Sequence, residues 1–493
     1  MKKIIIYQVL PRLYGNTNNT NRPNGTLADN GVGKMSAFDA RRLKELRQMG
    51  VTHIWYTGIV RHASKTDYSA YGLPATNPEY VKGEAGSPYA VCDWYDVDPD
   101  IADDVRMRMG EFSQLVERTH KAGLKVIIDF VPNHTARQYV GTYKPFTDEN
   151  YYPGRICDGD WTDTAKLNYG NHDTWLKMTD ILLFWAAMGV DGVRCDMAEL
   201  VPVDFWEYAT RKVKQQYPDF IFIGEVYNPG LYRDYATGGG FNYLYDKVGM
   251  YDMLRQVING REPTFRITEQ WQKVDDIKDK MLYFLENHDE QRIASDFFVA
   301  DARKAFPALM TAVLMTKSPF MLYAGQEYGE RAMDAEGFGG VDGRTSIFDY
   351  WNPATYYRKA VGQLTDEERG VCEVYSTVLR MANGEKAFQK GDFFDLMYVN
   401  RYSETFDDSR QYAFIRKYKD ETIVVCTNFS DRDVRVSINI PQHAFECLSL
   451  PQGEVSAKEL FTGEERTFLF EKDSTQVAMN IPAYYAAAWK IKK

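Results

Sequence analysis

The sequence predicts a parallel (β/α)8 TIM barrel with a small insert after its third strand and a C-terminal antiparallel β-sandwich domain. Three observations support this. Short runs of β-branched and aromatic residues alternate with longer amphipathic stretches, which is typical of parallel strands joined by crossover helices. The connection at residues 135–173 is too long for a turn. After about residue 390, runs such as 411–416 and 421–426 indicate successive short strands.

Eight strand-like runs supply the barrel. They lie at residues 3–9, 52–57, 125–130, 190–195, 220–225, 241–245, 281–286 and 319–323. Between several of these runs, apolar residues recur at helical spacing. This spacing predicts helices over residues 37–49, 107–122, 174–188 and 205–216.

Two connections are much longer than the others. Segment 58–103 follows the second strand, and segment 135–173, rich in Gly, Asp, Tyr and Pro, follows the third. Both leave the carboxyl ends of their strands, where barrel enzymes place their sites, so both should overhang a site. The expected domains are a barrel of residues 1–134 and 174–389, an insert of 135–173 and a C-terminal domain of 390–493.

The amino-acid composition limits the kinds of partner that the protein can be expected to bind. Hydrophobic residues make up 44% of the chain and charged residues 26%, as in a globular protein, and no run suggests a membrane span. The net charge of −10 argues against nucleic acid as the main partner. A neutral substrate is more natural. The 34 Tyr and 9 Trp suit the flat faces of sugar rings, although a large core would also use them.

The cysteines and the first residues bear on the compartment. The six cysteines include no CxxC pair, and we expect most of them to be buried thiols. Two lysines precede an apolar run, as in a signal peptide. That run ends at Pro11-Arg12 without a small-residue cleavage site, so we interpret it as a buried strand. These features predict a cytoplasmic protein.

Four of the predicted strands end in residues that can do chemistry. The motifs are Asp-Phe-Val-Pro-Asn-His at 129–134, Gly-Val-Arg-Cys-Asp at 192–196, Ile-Gly-Glu-Val at 223–226 and Glu-Asn-His-Asp at 286–289. Because the carboxyl ends of barrel strands meet at one face, these side chains should converge. Such a cluster is what a carbohydrate-cleaving site needs.

The carboxyl groups can be given separate roles. Asp196 ends the fourth strand and Glu225 the fifth, so the two should meet across the barrel mouth. Retaining glycoside hydrolysis needs one carboxylate nucleophile and one protonated carboxyl, and we assign the proton to Glu225. Asp289 would add negative charge beside a developing cation. Arg194, two residues before Asp196 and therefore on the same face, would hold Asp196 ionised.

Two histidines belong to the same motifs. His134 and His288 would donate hydrogen bonds to sugar hydroxyls from opposite sides of the mouth. Either histidine alone would more often be structural, and the neighbouring carboxyl groups are what favour binding. Asp129 and Asn133 are expected to be structural, tying the loop after the third strand.

Together these residues resemble the alpha-amylase family, glycoside hydrolase family 13. The four motifs match its four signature regions in order. Further similarity lies at residues 6–12 (Ile-Tyr-Gln-Val-Leu-Pro-Arg), Ser87-Pro-Tyr89, Asp98-Pro99 and 323–327, so it covers nearly the whole chain. The resemblance implies the same barrel, insert and C-terminal β-sandwich.

The resemblance also implies roles for single residues. Asp196 would be the nucleophile, Glu225 the acid/base and Asp289 the stabiliser of the transition state. The implied substrate-binding residues are Arg194, His134, His288, Tyr89, Tyr227 and Asn228. Tyr89 would form an aromatic platform beneath the sugar, with a simple loop anchor as the alternative, and Tyr227 and Asn228 would contact the leaving-group side.

One departure from the family concerns metal. Many members hold calcium with the asparagine of the first region, an aspartate of the insert and a histidine four residues after the nucleophile. Here Asn133 is present, but Lys166 and Leu200 occupy the other two positions. A lysine ammonium cannot ligate calcium, so no calcium is expected there and no cofactor is implied. The Lys-Leu-Asn variant at 166–168 is similar to the neopullulanase and cyclomaltodextrinase branch.

The leading interpretation is a retaining hydrolase that cleaves α-glucosidic bonds, mainly α-1,4, in maltooligosaccharides and maltodextrins through a covalent glycosyl-aspartate intermediate. An α-glucanotransferase is the nearest alternative, because a sugar hydroxyl can capture the same intermediate. Loops 226–240 and 326–356 would decide between them. A non-catalytic binding or partner subunit should have lost the nucleophile or the acid, and this chain keeps both. Monomer and dimer both remain open.

Overall fold

A closed barrel of eight parallel strands forms the centre of the computed structural model, which describes residues 2–472 and 475–492. The strands are β1 (Ile5–Val9), β2 (His53–Tyr56), β3 (Lys125–Phe130), β4 (Gly192–Cys195), β5 (Ile221–Gly224), β6 (Tyr243–Tyr245), β7 (Met281–Phe284) and β8 (Phe320–Tyr323). Each pairs with its sequence neighbours, and β8 closes on β1. All eight lie within the predicted runs, so the predicted barrel is confirmed.

The interior of the barrel is filled by apolar side chains from alternate positions of its strands. They include Ile6, Trp55, Ile127, Ile223, Tyr245, Leu282, Phe284 and Met321. Gly192 is required for the close approach of β4 to β5, since a Cβ at this position would lie 2.6 Å from the backbone oxygen of Ile221. A larger residue would push β4 away from β5, the two strands that lead into Asp196 and Glu225.

Helices cover the outside of the barrel and connect its strands. The α-helices of the barrel and its connections are Leu27–Asn30, Ala40–Met49, Arg108–Lys121, His172–Ala187, Val203–Gln216, Asp252–Ile258, Arg266–Lys273, Phe306–Leu314, Ala354–Ala360, Asp366–Gly384 and Lys386–Lys390, and the C-terminal domain adds Met397–Asn400 and Gln442–Leu448. The longest begins with a capping box, in which Thr365 and Glu368 each accept the other's backbone N–H. The four predicted helices occur within a few residues of their predicted bounds.

Both long connections contain their own antiparallel strands. In the connection after β2, Val60–His62 pairs with Val91–Val97. In the connection after β3, His134–Ala136 pairs with Thr164–Lys166. Each connection is thus an ordered lobe above the carboxyl ends of the strands.

The C-terminal domain is antiparallel, as predicted. Its strands are β9 (Asp392–Asp395), β10 (Gln411–Tyr418), β11 (Glu421–Asn428), β12 (Val434–Ile440), β13 (Gly453–Glu459), β14 (Glu465–Phe470), β15 (Thr475–Ile481) and β16 (Tyr485–Lys492). One sheet has the order β9-β10-β11-β16-β13-β14, and the other pairs β12 with β15. The helix Gln442–Leu448 between β12 and β13 was not predicted.

Two smaller expectations have mixed outcomes. Cys92, Cys195 and Cys426 are buried, but Cys157 and Cys372 are half-buried and Cys447 is exposed, so the expectation of mostly buried thiols holds for half of them. Among residues 2–472 and 475–492, no helix is both long and apolar enough to cross a membrane.

A buried arginine joins the C-terminal domain to the barrel. Arg416 lies on β10 and is fully buried. Its Nη1 donates to the carbonyl of Leu314, at the end of a barrel helix, at 2.8 Å, and its Nη2 donates to the carbonyl of Gly391 at 2.8 Å. These bonds satisfy carbonyls that the domain contact shields from water.

Arg416→Ala should therefore destabilise the fold by about 2–4 kcal/mol, since it leaves buried carbonyls unpaired and opens a cavity. Urea and thermal unfolding would measure the loss. Arg435→Ala, on the exposed face of β12, is the matched control, with an expected change within about 0.5 kcal/mol. Equal effects of the two substitutions would contradict the assigned role.

Candidate active site

A cavity of about 610 Å³ opens at the carboxyl ends of the barrel strands. Seven of the nine predicted site residues line it, namely Asp196, Glu225, Asp289, His134, His288, Tyr89 and Tyr227. Arg194 lies beneath the cavity and Asn228 lies outside its lining. The four motifs that end separate strands therefore meet in one place.

Arg194 is the central cation of this site. Its side chain is buried, and Nη1 donates to Asp196 Oδ1 at 2.6 Å. Its Nη2 lies 2.7 Å from Glu225 Oε1, an ion pair without hydrogen-bond geometry. The guanidinium also packs near the rings of Trp55 and Tyr89, at 5.4 and 5.3 Å from their centroids. One fixed charge thus holds both carboxyl groups.

Asp196 and Glu225 have raised pKa values for one main reason, which is burial. Arg194 opposes the rise at both groups by favouring their charged forms. The charge of Asp196 adds to the rise at Glu225. Two adjacent buried carboxyl groups do not both ionise readily, so the pair favours one shared proton.

Glu225 is held by two donors from neighbouring turns. The backbone N–H of Met197, a non-glycine residue at φ 40°, donates to Oε2 at 2.7 Å. The hydroxyl of Tyr227 donates to Oε1 at 2.8 Å. Glu199 in turn accepts the backbone N–H groups of Tyr227 at 3.1 Å and Asn228 at 2.8 Å. The turn after β5 is thus fixed to the turn after β4, and it fixes the orientation of the Glu225 carboxyl.

Asp289 is the third carboxyl of the cavity. Burial, followed by the charge of Glu225, raises its pKa to about 8. Its side chain is 35% exposed, so solvent screens part of this effect. From the sequence we assigned a proton to Glu225 alone. The surroundings of Asp289 make it a second carboxyl group that favours protonation near neutral pH.

The two histidines are neutral in this environment. Burial lowers the pKa of His134 to about 4, and it also lowers the pKa of His288 far below its usual range. The amide nitrogen of Gln8 lies 2.7 Å from His288 Nδ1, and His288 Nε2 lies 3.2 Å from Asp289. Tyr89 stacks on His288 with ring centroids 5.0 Å apart. Both imidazoles can therefore offer hydrogen bonds without adding charge.

Asn228 has a local role. Its side chain is exposed and accepts the N–H of Gly230 at 2.9 Å, capping the turn at Pro229–Leu231. Within the described chain it is not among the residues that line the catalytic cavity. Its predicted contact with the leaving-group side therefore lacks geometric support, unlike that of Tyr227.

Several wall residues were not predicted from the sequence. Lys82 comes from the connection after β2, Trp161 and Asp163 from the insert, and Arg344 and Phe348 from the segment after β8. Lys82 Nζ lies 3.3 Å from Asp163 Oδ1, which links the two lobes beside the cavity. The connections that hold Lys82, Trp161 and Asp163 were predicted to overhang the site, but loop length carries no information about which side chain faces inward.

An ion pair occupies the place at which the family resemblance implies calcium in many members. Lys166 Nζ donates to Asp158 Oδ1 at 2.7 Å, and Asn133 Nδ2 donates to Asp158 Oδ2 at 2.8 Å. Burial raises the pKa of Asp158, but these two donors outweigh it and leave the pKa below its usual range. Within residues 2–472 and 475–492, no group of three or more His, Cys, Asp or Glu side chains is arranged to hold a metal ion.

The protein has a closed parallel barrel, and carboxyl groups converge at the carboxyl ends of its strands. These two features are those of the barrel glycosidases as a class of enzyme. The family model for the alpha amylase catalytic domain matches residues 8–160 and 146–369, and that for the alpha amylase C-terminal all-beta domain matches residues 404–492. The chain belongs to the alpha-amylase family of glycoside hydrolases.

Individual relatives agree with this assignment. Neopullulanase 2 of Thermoactinomyces vulgaris is 23% identical over 90% of this chain and 72% of its own. Cyclomaltodextrinase of Bacillus sp. is 24% identical over 87% of this chain and 73% of its own. The crystal structure of Geobacillus thermoleovorans alpha-amylase with acarbose superposes with a TM-score of 0.73, at 20% identity over 100% of this chain and 98% of that one. The predicted family, with its neopullulanase and cyclomaltodextrinase branch, is confirmed.

Proposed function

We propose that the protein is a retaining hydrolase of α-glucosidic bonds, mainly α-1,4, in maltooligosaccharides and maltodextrins. The observation that carries the proposal is the contact of one buried guanidinium with both Asp196 and Glu225 at the barrel mouth. That contact supports an ionised carboxylate next to a protonated one, which is the pair that retaining hydrolysis needs.

In the proposed reaction, Asp196 attacks the anomeric carbon while Glu225 gives its proton to the departing glycosidic oxygen. This forms the covalent glycosyl-aspartate and releases the leaving sugar. Glu225, now ionised, takes a proton from water, and the water oxygen displaces Asp196 from the anomeric carbon. The developing positive charge would favour the ionised form of Asp289, which then stabilises that charge.

The neutral residues around the carboxyls suit a neutral sugar. His134 and His288 can hydrogen-bond hydroxyl groups without repelling or attracting charge. Tyr89, held by its stacking on His288, can place its ring against the apolar face of the sugar. The names of the relatives, neopullulanase and cyclomaltodextrinase, support soluble maltodextrins, pullulan or cyclodextrins as the substrate class.

Two finer points also belong to the proposal. The partner of the protein is its oligosaccharide substrate, and neither nucleic acid nor a membrane is a partner. The net charge of −10 agrees with this. We also propose a cytoplasmic location, in agreement with the similarity to an intracellular maltogenic amylase of Bacillus subtilis, which is 24% identical over 67% of this chain.

Asp196→Asn should lower kcat/KM on maltoheptaose by at least about a thousandfold, because the nucleophile is lost at nearly constant volume. Reducing-sugar release and chromatography of the products would measure it. Asp204→Asn, an exposed aspartate on a barrel helix, should leave the rate unchanged. Full activity of Asp196→Asn would overturn the mechanism, and early products longer than maltoheptaose would identify a transferase.

Tyr227→Phe should move the alkaline limb of the pH profile to higher pH by about half a unit to one unit. Glu225 must be protonated to act as the acid, so activity falls as pH rises through its pKa. Burial raises that pKa, and the Tyr227 hydroxyl lowers it by stabilising the carboxylate. Removing the hydroxyl therefore raises the pKa further. Tyr208→Phe is the control, and an unchanged limb in Tyr227→Phe would contradict this coupling.

We also propose that Lys166 replaces calcium at the junction of barrel and insert. Its ammonium already supplies the positive charge beside Asp158 and Asn133. A chelator should leave both Tm and activity of the native protein unchanged. In the Lys166→Asp variant, the new carboxylate would lie beside that of Asp158, so Tm should fall. Added Ca²⁺ should then raise Tm again. Loss of native activity or stability on chelation would refute the proposal.

A further inference from the structure

A second and larger cleft lies between the barrel and the C-terminal domain, with a volume of about 920 Å³. Its barrel wall comes from segments 251–261 and 290–304. Its other wall comes from segments 407–410 and 429–432 and from Tyr484. Across the described part of the chain, none of the residues assigned to catalysis above lines this cleft.

The two walls are fixed relative to each other. The hydroxyl of Thr264 in the barrel donates to the carbonyls of Asp408 at 2.8 Å and Gln411 at 2.7 Å. Within the C-terminal wall, the N–H of Phe429 donates to the carbonyl of Arg410 at 2.8 Å. A cleft with such bonded walls is formed before any ligand arrives, which lowers the entropic cost of binding.

The lining offers donors and acceptors that the protein itself leaves unused. Within residues 2–472 and 475–492, the guanidinium groups of Arg261, Arg410 and Arg432 make no hydrogen bond or ion pair, and neither does the carboxylate of Asp431. An anion site would exclude carboxylates, yet Asp407 and Asp431 line the same cleft. Sugar hydroxyls both donate and accept hydrogen bonds, so a neutral polyhydroxyl ligand matches this mixture better than an anion.

Two aromatic rings add apolar faces to the polar lining. Phe297 is 50% exposed in the described chain and faces the cleft from the barrel side. Tyr484 faces it from the C-terminal domain, and its backbone is held at φ 51° with its N–H bonded to the carbonyl of Ser430 at 3.0 Å. Aromatic faces between hydrogen-bonding groups are suited to sugar rings, whose two faces are apolar and whose edges are polar.

The cleft adjoins the catalytic cavity, because Glu290 lines both. We infer that this cleft is a second oligosaccharide-binding site, which holds a distal stretch of the same glucan chain. The inference rests on the proposed function and assigns it a preference for long chains.

The double variant Phe297→Ala/Tyr484→Ala tests this on the full-length protein. With a long amylose, kcat/KM should fall about tenfold, as expected when two well-packed aromatic contacts are lost. With maltotriose, the short-chain control, kcat/KM should stay the same. An equal effect on both substrates, or no effect on either, would overturn the inference.

Direct binding gives an independent measurement. Asp196→Asn protein, titrated calorimetrically with maltotriose, should show two classes of site, since a short sugar occupies each site separately, and adding the double substitution should remove one. A single class that the substitutions leave intact would overturn the inference. The inference would also be overturned if inorganic phosphate bound in the cleft and glucans did not displace it. That result would identify an anion site.

The two proposals fail in different ways. If the native protein releases no reducing sugar from either amylose or maltotriose, the proposed function is wrong. If it cleaves both and the double variant cleaves both equally well, only the second site is wrong. Thermal unfolding of the double variant establishes that the comparison is made between folded proteins.

Discussion

The buried guanidinium of Arg194 is the constraint on which the catalytic site depends. A charge removed from water is costly unless it is paired, and here two carboxyl groups supply the pairing. Aromatic rings of Trp55, Tyr89 and Tyr245 surround the same group at 5.3 to 5.6 Å and restrict its movement. The positions of the catalytic carboxyls therefore follow from packing inside the barrel.

The loops above the barrel depend on a second set of contacts. Arg12, also buried, donates to the carbonyl of Ala85 at 2.9 Å and also bonds the carbonyl of Ile347. It thereby joins the connection after β2 to the segment after β8. Lys82 and Asp163 join the same connection to the insert. Three separate loops thus become one rim, and a rigid rim keeps the cavity formed in the absence of ligand.

Sequence reasoning located the fold and most of the site because both follow from local patterns. A buried strand followed by polar residues is visible as a string of letters, so Asp196, Glu225 and Asp289 could be assigned before their geometry was known. The role of Asn228 stays a prediction. Its neighbour Tyr227 lines the cavity, whereas Asn228 is exposed and accepts the N–H of Gly230, a hydrogen bond that the sequence does not display.

The interdomain cleft could not be predicted for a related reason. Its walls lie about 150 residues apart in the sequence, and their approach depends on bonds such as those from Thr264 to Asp408 and Gln411. Likewise, the pKa of Asp289 reflects burial and neighbouring charges that come from three different strand ends. Properties that arise only from the joint placement of distant segments require coordinates.

The contacts of Arg194 also explain how the proposed reaction can proceed without moving a charge through the barrel. Before the attack, Asp196 is the anionic partner of the guanidinium. Once Asp196 is esterified it becomes neutral, and Glu225, having given up its proton, becomes the anion. Because the two nitrogens already lie 2.6 and 2.7 Å from the two carboxyls, the countercharge passes between them while Arg194 stays in place. Arg194 is therefore paired with an anion in both states of the proposed cycle without rearrangement of the site, which is the preorganisation that electrostatic catalysis needs.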